Sequence, residues 1–138
     1  MILVDTSAWV EYDRATDSPV DRRLTALIRA DGPVAITEPV VMGVLAGARS
    51  DARERDLRRL LTRFTLLPLE PAADFAAAAA LYRRCRRSGV TPRGLLDCLI
   101  MAVAWRTRAA VLHADKDMDR IAAVAGVDLD TVPAVDKG

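Results

Sequence analysis

Three stretches of the sequence place aspartates against apolar residues. Asp5 ends the apolar run ILVD, Asp97 lies inside LLDCLIM, and Asp115 and Asp117 follow the run AAVLH. An isolated buried carboxylate is unfavourable, so such groups are usually paired, protonated or bound to a metal ion. Helix caps, turns and first-turn acids are the simpler explanation for each of them taken singly. The four acids are therefore the candidates for chemistry, with helix termini as the alternative.

The remaining residue types exclude several kinds of site. His113 is the only histidine, and Cys85 and Cys98 are the only cysteines, with no CxxC motif. This composition argues against histidine-based general base catalysis and against a zinc centre. It also favours two reduced, buried thiols over a disulfide.

A calcium loop is excluded by the residues that follow the DxDxD spacing. Asp119 extends the series begun by Asp115, but the sixth position is Arg120 and the twelfth is Gly126. An EF-hand needs glycine and glutamate there. A magnesium or manganese ion held by carboxylates remains, and it suits one reaction in particular. Such an ion orients and deprotonates a water for in-line attack on a phosphodiester, in two-metal sites with ions about 3.5–4 Å apart.

The elements that must position these acids follow from hydrophobic periodicity. Strands are predicted at residues 2–5, 34–36, 65–69 and 109–113, with a possible edge strand at 127–132. Helices are predicted from about residue 8, at 19–30, 37–48, 51–64, 71–88, 95–107 and 118–125. This alternation predicts an α/β fold, a three-layer α/β/α sandwich with a mainly parallel sheet. Asp5 and Asp115 follow strands, at the sheet edge where α/β folds bind ligands.

Length and charge limit the class of protein. The 138 residues fit one domain, 1–138, whose last few residues look like a loose tail. No apolar run approaches the ~20 residues that span a bilayer, and no signal segment opens the chain, so a cytoplasmic protein without a membrane contact is expected. Net charge is only +1. The arginines nevertheless cluster, either to contact phosphates or as solvated helix faces: Arg53, Arg55, Arg58, Arg59 and Arg63, then Arg83, Arg84, Arg86, Arg87 and Arg93.

Four motifs in this order, ILVDTSAW, TEPVVM, LLDCLIMAVAW and HADKDMDRIA, resemble the PIN-domain family. Within it, the chain is similar to the VapC-type ribonuclease toxins of bacterial toxin–antitoxin pairs, over essentially its whole length. The resemblance implies a metal-dependent endoribonuclease that uses Mg²⁺ or Mn²⁺ to cleave RNA of the tRNA or rRNA class. It also implies a homodimer and a cognate VapB-type antitoxin that covers the acidic pocket in a larger complex.

The resemblance assigns roles to individual positions. It implies that four acids bind the metal, with Asp5, Asp97 and Asp115 as catalytic positions and Asp117 as the accessory acid. Thr6 and Ser7 stand beside the first acid as hydrogen-bonding support. Arg93, close before the second acid, is a candidate RNA contact, although solvation of a surface side chain explains it equally well.

Gly43 departs from the family pattern, because it stands where the family has a catalytic glutamate. Glycine inside a helix is unfavourable by roughly 1 kcal/mol relative to alanine, so helix propensity does not explain it. A naturally degenerate nuclease and an engineered substitution that disarms a toxin are the two explanations, and the intact flanking pattern favours the second. Either explanation predicts a weakened nuclease, since loss of a site carboxylate can cost about 10–100-fold in affinity or activity.

Two other functions are weighed against the nuclease. A catalytically inactive PIN domain that binds RNA or antitoxin is supported by Gly43 and opposed by the retained acids. A receiver-like domain phosphorylated on Asp5 would need a phosphate-anchoring lysine after a later strand. The only lysines are Lys116 and Lys137, and neither is suitably placed.

Overall fold

The computed structural model describes residues 1–130, which form four strands and seven helices. In chain order these are β1 (Ile2–Val4), α1 (Thr6–Asp13), α2 (Pro19–Arg29), β2 (Val34–Ile36), α3 (Glu38–Ala46), α4 (Asp51–Leu61), β3 (Thr65–Leu66), α5 (Pro71–Arg87), α6 (Leu95–Thr107), β4 (Ala110–Leu112) and α7 (Lys116–Ala125).

The strands form one sheet in the order β3-β2-β1-β4, and every pair is parallel. Leu3 of β1 is paired with Ala35 of β2 on one side and with Val111 of β4 on the other. The first three strands advance in one direction across the sheet, whereas β4 lies beyond β1. Right-handed crossovers therefore place the two sets of connecting helices on opposite faces. The predicted α/β fold with a parallel sheet is confirmed.

Two helices start earlier than periodicity predicts, because aspartates cap them. Helix α1 begins at Thr6 rather than near residue 8, with Asp5 as its N-cap. Helix α7 begins at Lys116 rather than at Met118, with Asp115 as its N-cap. Asp117, which is predicted to precede the helix, thus lies in its first turn together with Asp119. An N-cap aspartate satisfies backbone N–H groups that have no partner inside the helix.

Other differences concern element ends and the chain's last segment. Strand β3 has two residues instead of five. Threonine can cap a helix, but the side chain of Thr37, the N-cap residue of α3, makes no capping hydrogen bond. The predicted edge strand at 127–132 is reduced to a single parallel bridge between Val111 and Leu129. Its last two residues and the predicted tail lie outside the described part of the chain.

The core is centred on β1, β4 and the middle of α6. Leu3, Ile100 and Leu112 are essentially inaccessible to solvent, as expected of strands and a helix covered on both sides. The cysteines confirm their prediction, since both are buried free thiols. Burial raises the pKa of the Cys98 thiol to about 11, with smaller contributions from Cys85 and Asp97. It is therefore an inert core group.

The strongly apolar sequence of residues 95–107 predicts a buried helix, but α6 is exposed at both ends. Leu95 is 60% exposed at its start and Trp105 is 63% exposed near its end. With Met42 of α3 and Phe75 of α5, Leu95 and its neighbour Leu96 line an apolar groove of about 530 Å³.

A buried ion pair joins α5 to α6. The Arg106 guanidinium donates to both carboxylate oxygens of Asp74, at 2.9 and 2.8 Å, and also to the carbonyl oxygen of Pro68 at 2.7 Å. The Asp74 side chain is only 1% exposed. The hydrogen bonds from Arg106 lower the pKa of the Asp74 carboxyl more than burial raises it.

Within residues 1–130, no helix is long and apolar enough to cross a bilayer.

Candidate active site

Asp5 lies where β1 ends and α1 begins, and its two carboxylate oxygens have different surroundings. Oδ2 accepts hydrogen bonds from the backbone N–H of Ser7 at 3.1 Å and from the Ser7 hydroxyl at 2.6 Å. Oδ1 is buried and has no hydrogen-bond partner among the described residues. The residue as a whole is 4% exposed. One oxygen of Asp5 therefore caps the helix, while the other has no protein partner among the described residues and is available to a ligand.

Ser7 connects the end of β1 to the segment that follows β4. Its hydroxyl accepts a hydrogen bond from the backbone N–H of Ala114 at 2.9 Å while donating to Asp5. The backbone N–H of Asp5 also donates to the carbonyl oxygen of Leu112 at 2.9 Å. These contacts hold the first acid beside the turn that carries Asp115.

Asp115 is held by the turn between β4 and α7. Its Oδ1 accepts from the backbone N–H of Asp117 at 3.0 Å, and its own N–H donates to Nδ1 of His113 at 3.0 Å. Since Nδ1 accepts, the proton of the neutral ring lies on Nε2, which is 2.8 Å from a carboxylate oxygen of Asp119. His113 and Asp119 thus brace this turn. Sequence reasoning missed that role, although the lone histidine directly after a strand was the available signal.

The side chain of Arg93 extends from the loop before α6 to the turn between β4 and α7. Its Nη2 donates to Oδ2 of Asp115, and its Nε lies 2.8 Å from Oδ2 of Asp117. The Arg93 side chain is nevertheless 68% exposed. This guanidinium is therefore a partner of two candidate metal-binding acids. That contact was not predicted, since Arg93 was considered only as an RNA contact or a solvated residue.

Asp97, in the first turn of α6, is electrostatically coupled to the other acids. Burial first, and then the charges of Asp5, Asp115 and Asp117, raise the pKa of its carboxyl to about 6 against the lowering effect of Arg93. A carboxyl so affected by three neighbouring carboxylates lies close to all of them. The structure thus brings the four predicted acids to one end of the sheet, from β1, α6 and the β4–α7 turn.

Gly43 faces this region from α3 and is packed against Thr6. A Cβ on residue 43 would stand 2.7 Å from Oγ1 and 3.1 Å from Cγ2 of Thr6. Oγ1 of Thr6 is itself buried without a hydrogen-bond partner among residues 1–130. Glu38, the single acid of α3, does not supply a carboxylate here, because its side chain accepts from the backbone N–H of Leu69 at 2.9 Å.

The donor set fits a hard divalent cation in its chemistry. Carboxylate and hydroxyl oxygens are the ligands that magnesium and manganese prefer, and two such oxygens, on Asp5 and Thr6, are buried without partners. In the described part of the chain, however, no three His, Cys, Asp or Glu side chains converge on a common point as a preformed metal site. Arg93 engages two of the acids and position 43 supplies none.

Part of the charge of the arginine clusters is paired with acids or carbonyl groups elsewhere in the chain. Arg53 binds Asp13, Arg58 binds Glu54 four residues earlier, and Arg84 donates to the carbonyl oxygen of Val124 at 2.7 Å. These contacts support the interpretation of the clusters as helix surface, with Arg93 as the exception.

Comparison with known proteins gives the same fold and a family. The PIN domain model matches residues 2–124. The VapC ribonuclease Mb1587 of Mycobacterium bovis is 43% identical over 128 residues, covering 92% of this chain and 96% of that protein. Ribonuclease VapC11 of Mycobacterium tuberculosis matches to the same extent.

Solved structures share the fold at low sequence identity. VapBC2 from Rickettsia felis, bound to a DNA fragment from its promoter, has a TM-score of 0.73 at 18% identity, over 94% of this chain and 98% of that one. VapC20 of Mycobacterium tuberculosis, a toxin that cleaves the sarcin–ricin loop, has a TM-score of 0.69 at 17% identity, over 96% and 100%. On the PIN domain match and the 43% identity to VapC ribonucleases, the chain belongs to the PIN-domain family and, within it, to the VapC-type ribonucleases.

Proposed function

We propose that this chain is an endoribonuclease toxin whose four clustered aspartates bind Mg²⁺ or Mn²⁺ for hydrolysis of RNA of the tRNA or rRNA class. The observation that carries the proposal is the free, buried Oδ1 of Asp5 beside a carboxyl, Asp97, whose pKa is raised to about 6 by burial and by its acidic neighbours. Carboxylates concentrated in this way favour a divalent cation. The relatives named as ribonucleases support the reaction class.

Each residue has a stated task in this mechanism. Asp5, Asp97, Asp115 and Asp117 would hold the ion. Ser7 fixes Oδ2 of Asp5 and thereby points Oδ1 at the site, while Thr6 offers a second free oxygen. A divalent ion, when bound, activates water and neutralises charge on the scissile phosphate. Arg93, mostly exposed at the rim, is suited to a phosphate oxygen of the RNA.

Gly43 is proposed to attenuate this activity. No carboxylate of α3 reaches the acids, since Glu38 is committed to Leu69 and residue 43 has no side chain. One acidic ligand or water-orienting group is then missing from the set that the family resemblance implies. Loss of such a group costs on the order of 10–100-fold.

The proposed partners are a VapB-type antitoxin, the RNA and a second copy of the chain, in the cytoplasm. The VapBC complexes among the structural neighbours support the antitoxin. The groove between α3, α5 and α6 supports the homodimer, because Met42, Phe75 and Leu95 are each more than half exposed there. Exposed apolar surface of this kind marks interaction sites.

The test is cleavage of total tRNA and of ribosomal RNA by this chain beside its Gly43→Glu variant. Each is assayed with Mg²⁺, with Mn²⁺ and with chelator, and Gly43→Gln serves as the matched uncharged control. We expect metal-dependent cleavage that increases at least about tenfold in Gly43→Glu and not in Gly43→Gln. Cleavage that persists in chelator would contradict a metal mechanism.

The second candidate function is a catalytically inactive PIN domain that binds RNA or antitoxin. Gly43 and the engagement of two acids by Arg93 favour it. No cleavage by the chain or by Gly43→Glu, together with RNA binding that is unchanged by chelator, would establish this alternative and overturn the nuclease.

A further inference from the structure

Arg93 occupies a position that a bound cation would also need. We propose that its guanidinium is the resident counter-ion of the acidic site, which a divalent cation must displace in order to bind, so that Arg93 sets the metal affinity of the enzyme. This inference rests on the proposed function, because it assumes that the aspartates bind a cation.

Both carboxylate oxygens of Asp115 already have hydrogen-bond partners. Oδ1 accepts from the backbone N–H of Asp117 at 3.0 Å, and Oδ2 accepts from Nη2 of Arg93. Of these two partners, the backbone N–H belongs to the first turn of α7 and cannot leave without unwinding it. The guanidinium is the partner that can be exchanged.

Arg93 binds two acids at once. Its Nε lies 2.8 Å from Oδ2 of Asp117, so the same side chain links both acids of the β4–α7 turn. It also opposes the three carboxylates that raise the pKa of Asp97. One monovalent side chain therefore offsets part of the repulsion among four clustered acids, which is the electrostatic task of a metal ion at such a site.

The contacts of Arg93 with Asp115 and Asp117 are easily broken. The Arg93 side chain is 68% exposed and precedes Gly94, the N-cap of α6, which has no side-chain capping bond. Pro92, one residue earlier, is buried and anchors the backbone of the loop. Release of the guanidinium into solvent thus needs side-chain rotation only, and exposed ion pairs are weak. A divalent ion carries twice the charge and competes effectively.

The test is a calorimetric titration of Mn²⁺ into the full chain and into Arg93→Gln. Removal of the competing cation is expected to tighten Mn²⁺ binding roughly three- to tenfold. Arg93→Lys, which keeps the charge, should remain close to the parent. Arg87→Gln is the matched control, since Arg87 ends α5 and forms no ion pair with a carboxylate in residues 1–130. A merely structural role would lower thermal stability without tightening the binding of Mn²⁺.

A second readout follows the guanidinium itself. In ¹⁵N-edited NMR spectra, Mg²⁺ should shift the Nε–H signal of Arg93 in parallel with occupancy. Equal or weaker Mn²⁺ affinity in Arg93→Gln, or an Arg93 signal unchanged by saturating Mg²⁺, would overturn the counter-ion role and leave the nuclease proposal standing. Absence of Mn²⁺ binding by both chains would overturn the two together.

Discussion

Oγ1 of Thr6 lies 2.7 Å from the point where a Cβ of residue 43 would stand, so Thr6 and Gly43 form a closely packed pair between α1 and α3. This distance is too short for a real Cβ contact, and the Thr6 methyl group at 3.1 Å closes the other side. Any side chain at position 43 therefore requires Thr6 to rotate. The glycine that departs from the family pattern is thus accommodated by its neighbour.

The first prediction is a coupling between these two positions. Gly43→Ala should gain less than the roughly 1 kcal/mol expected for alanine over glycine in a helix, because its Cβ meets Thr6. The Thr6→Ala substitution removes both clashing atoms, Oγ1 and Cγ2. In that background Gly43→Ala should give the full increase in the free energy of unfolding. A double-mutant cycle by urea unfolding should give a coupling energy of about 0.5–3 kcal/mol. Strict additivity would show that Thr6 rotates freely.

The two roles of Asp5 can be separated by substitution. Asn at this position keeps an oxygen that accepts from the Ser7 N–H, whereas Ala loses the cap at a cost of about 1 kcal/mol. Asp5→Asn should therefore fold nearly as stably as the parent but bind Mn²⁺ about 10–100-fold more weakly. Calorimetry measures the binding and urea unfolding the stability. Unchanged Mn²⁺ affinity in Asp5→Asn would remove Asp5 from the proposed ligands.

The raised pKa of Asp97 predicts a pH dependence of stability. The folded state holds this proton up to about pH 6, whereas the ordinary pKa of the group is 3.8, so the folded state binds the proton more tightly. The free energy of unfolding should fall as pH rises from 4 to 6 and level off above that range. Asp97→Asn should be more stable than the parent at pH 7.5 by about 1–2 kcal/mol, a figure reduced for partial exposure, with no advantage at pH 4.

The measurement is urea unfolding of both chains at several pH values without divalent ions. Asp31→Asn, at an exposed turn position, is the control and should show no such trend. The stability difference between Asp97→Asn and the parent should vary with pH. A constant difference would contradict a raised pKa for Asp97.

The buried ion pair should matter far more than exposed ones. Arg106→Met leaves the Asp74 carboxylate, 1% exposed, without its partner and should cost about 3–5 kcal/mol. Arg58→Met breaks an exposed pair with Glu54 and should cost less than about 1 kcal/mol. Because Arg106 lowers the pKa of Asp74, this stability is present above the unfolded value of 3.8 and is lost at lower pH. Urea unfolding at pH 7 and pH 3 checks both statements, and equal costs for the two arginine variants would contradict them.

The proposed homodimer can be tested at the groove. Phe75 is 55% exposed there, and Phe75→Glu should convert a dimer to a monomer in sedimentation velocity, because a charge buried in an apolar interface is costly. Trp105→Gln changes a comparably exposed residue outside the groove and should leave the association state unchanged. If Trp105→Gln gave a monomer and Phe75→Glu did not, the dimer interface would lie at the end of α6 and not at the groove.

The elements were largely predictable from sequence because their signals are local. The bounds of α6 and β2 match the predicted residues, since buried apolar runs, glycine breaks and prolines act over a few positions. Cap residues were harder to predict. Asp5 and Asp115 extend their helices by about two residues, and that depends on whether a side chain folds back onto the N–H groups or faces a ligand.

The sequence by itself determined the parallel α/β order and placed Asp5 and Asp115 at the carboxyl ends of their strands, because these follow from patterns within single elements. Only the tertiary structure decided that Arg93 binds Asp115, 22 positions away, that Thr6 fills the space beside Gly43, and that Leu95 faces solvent. Periodicity reports which face of a helix is apolar but not what that face meets. Those contacts depend on how the crossovers bring distant segments together.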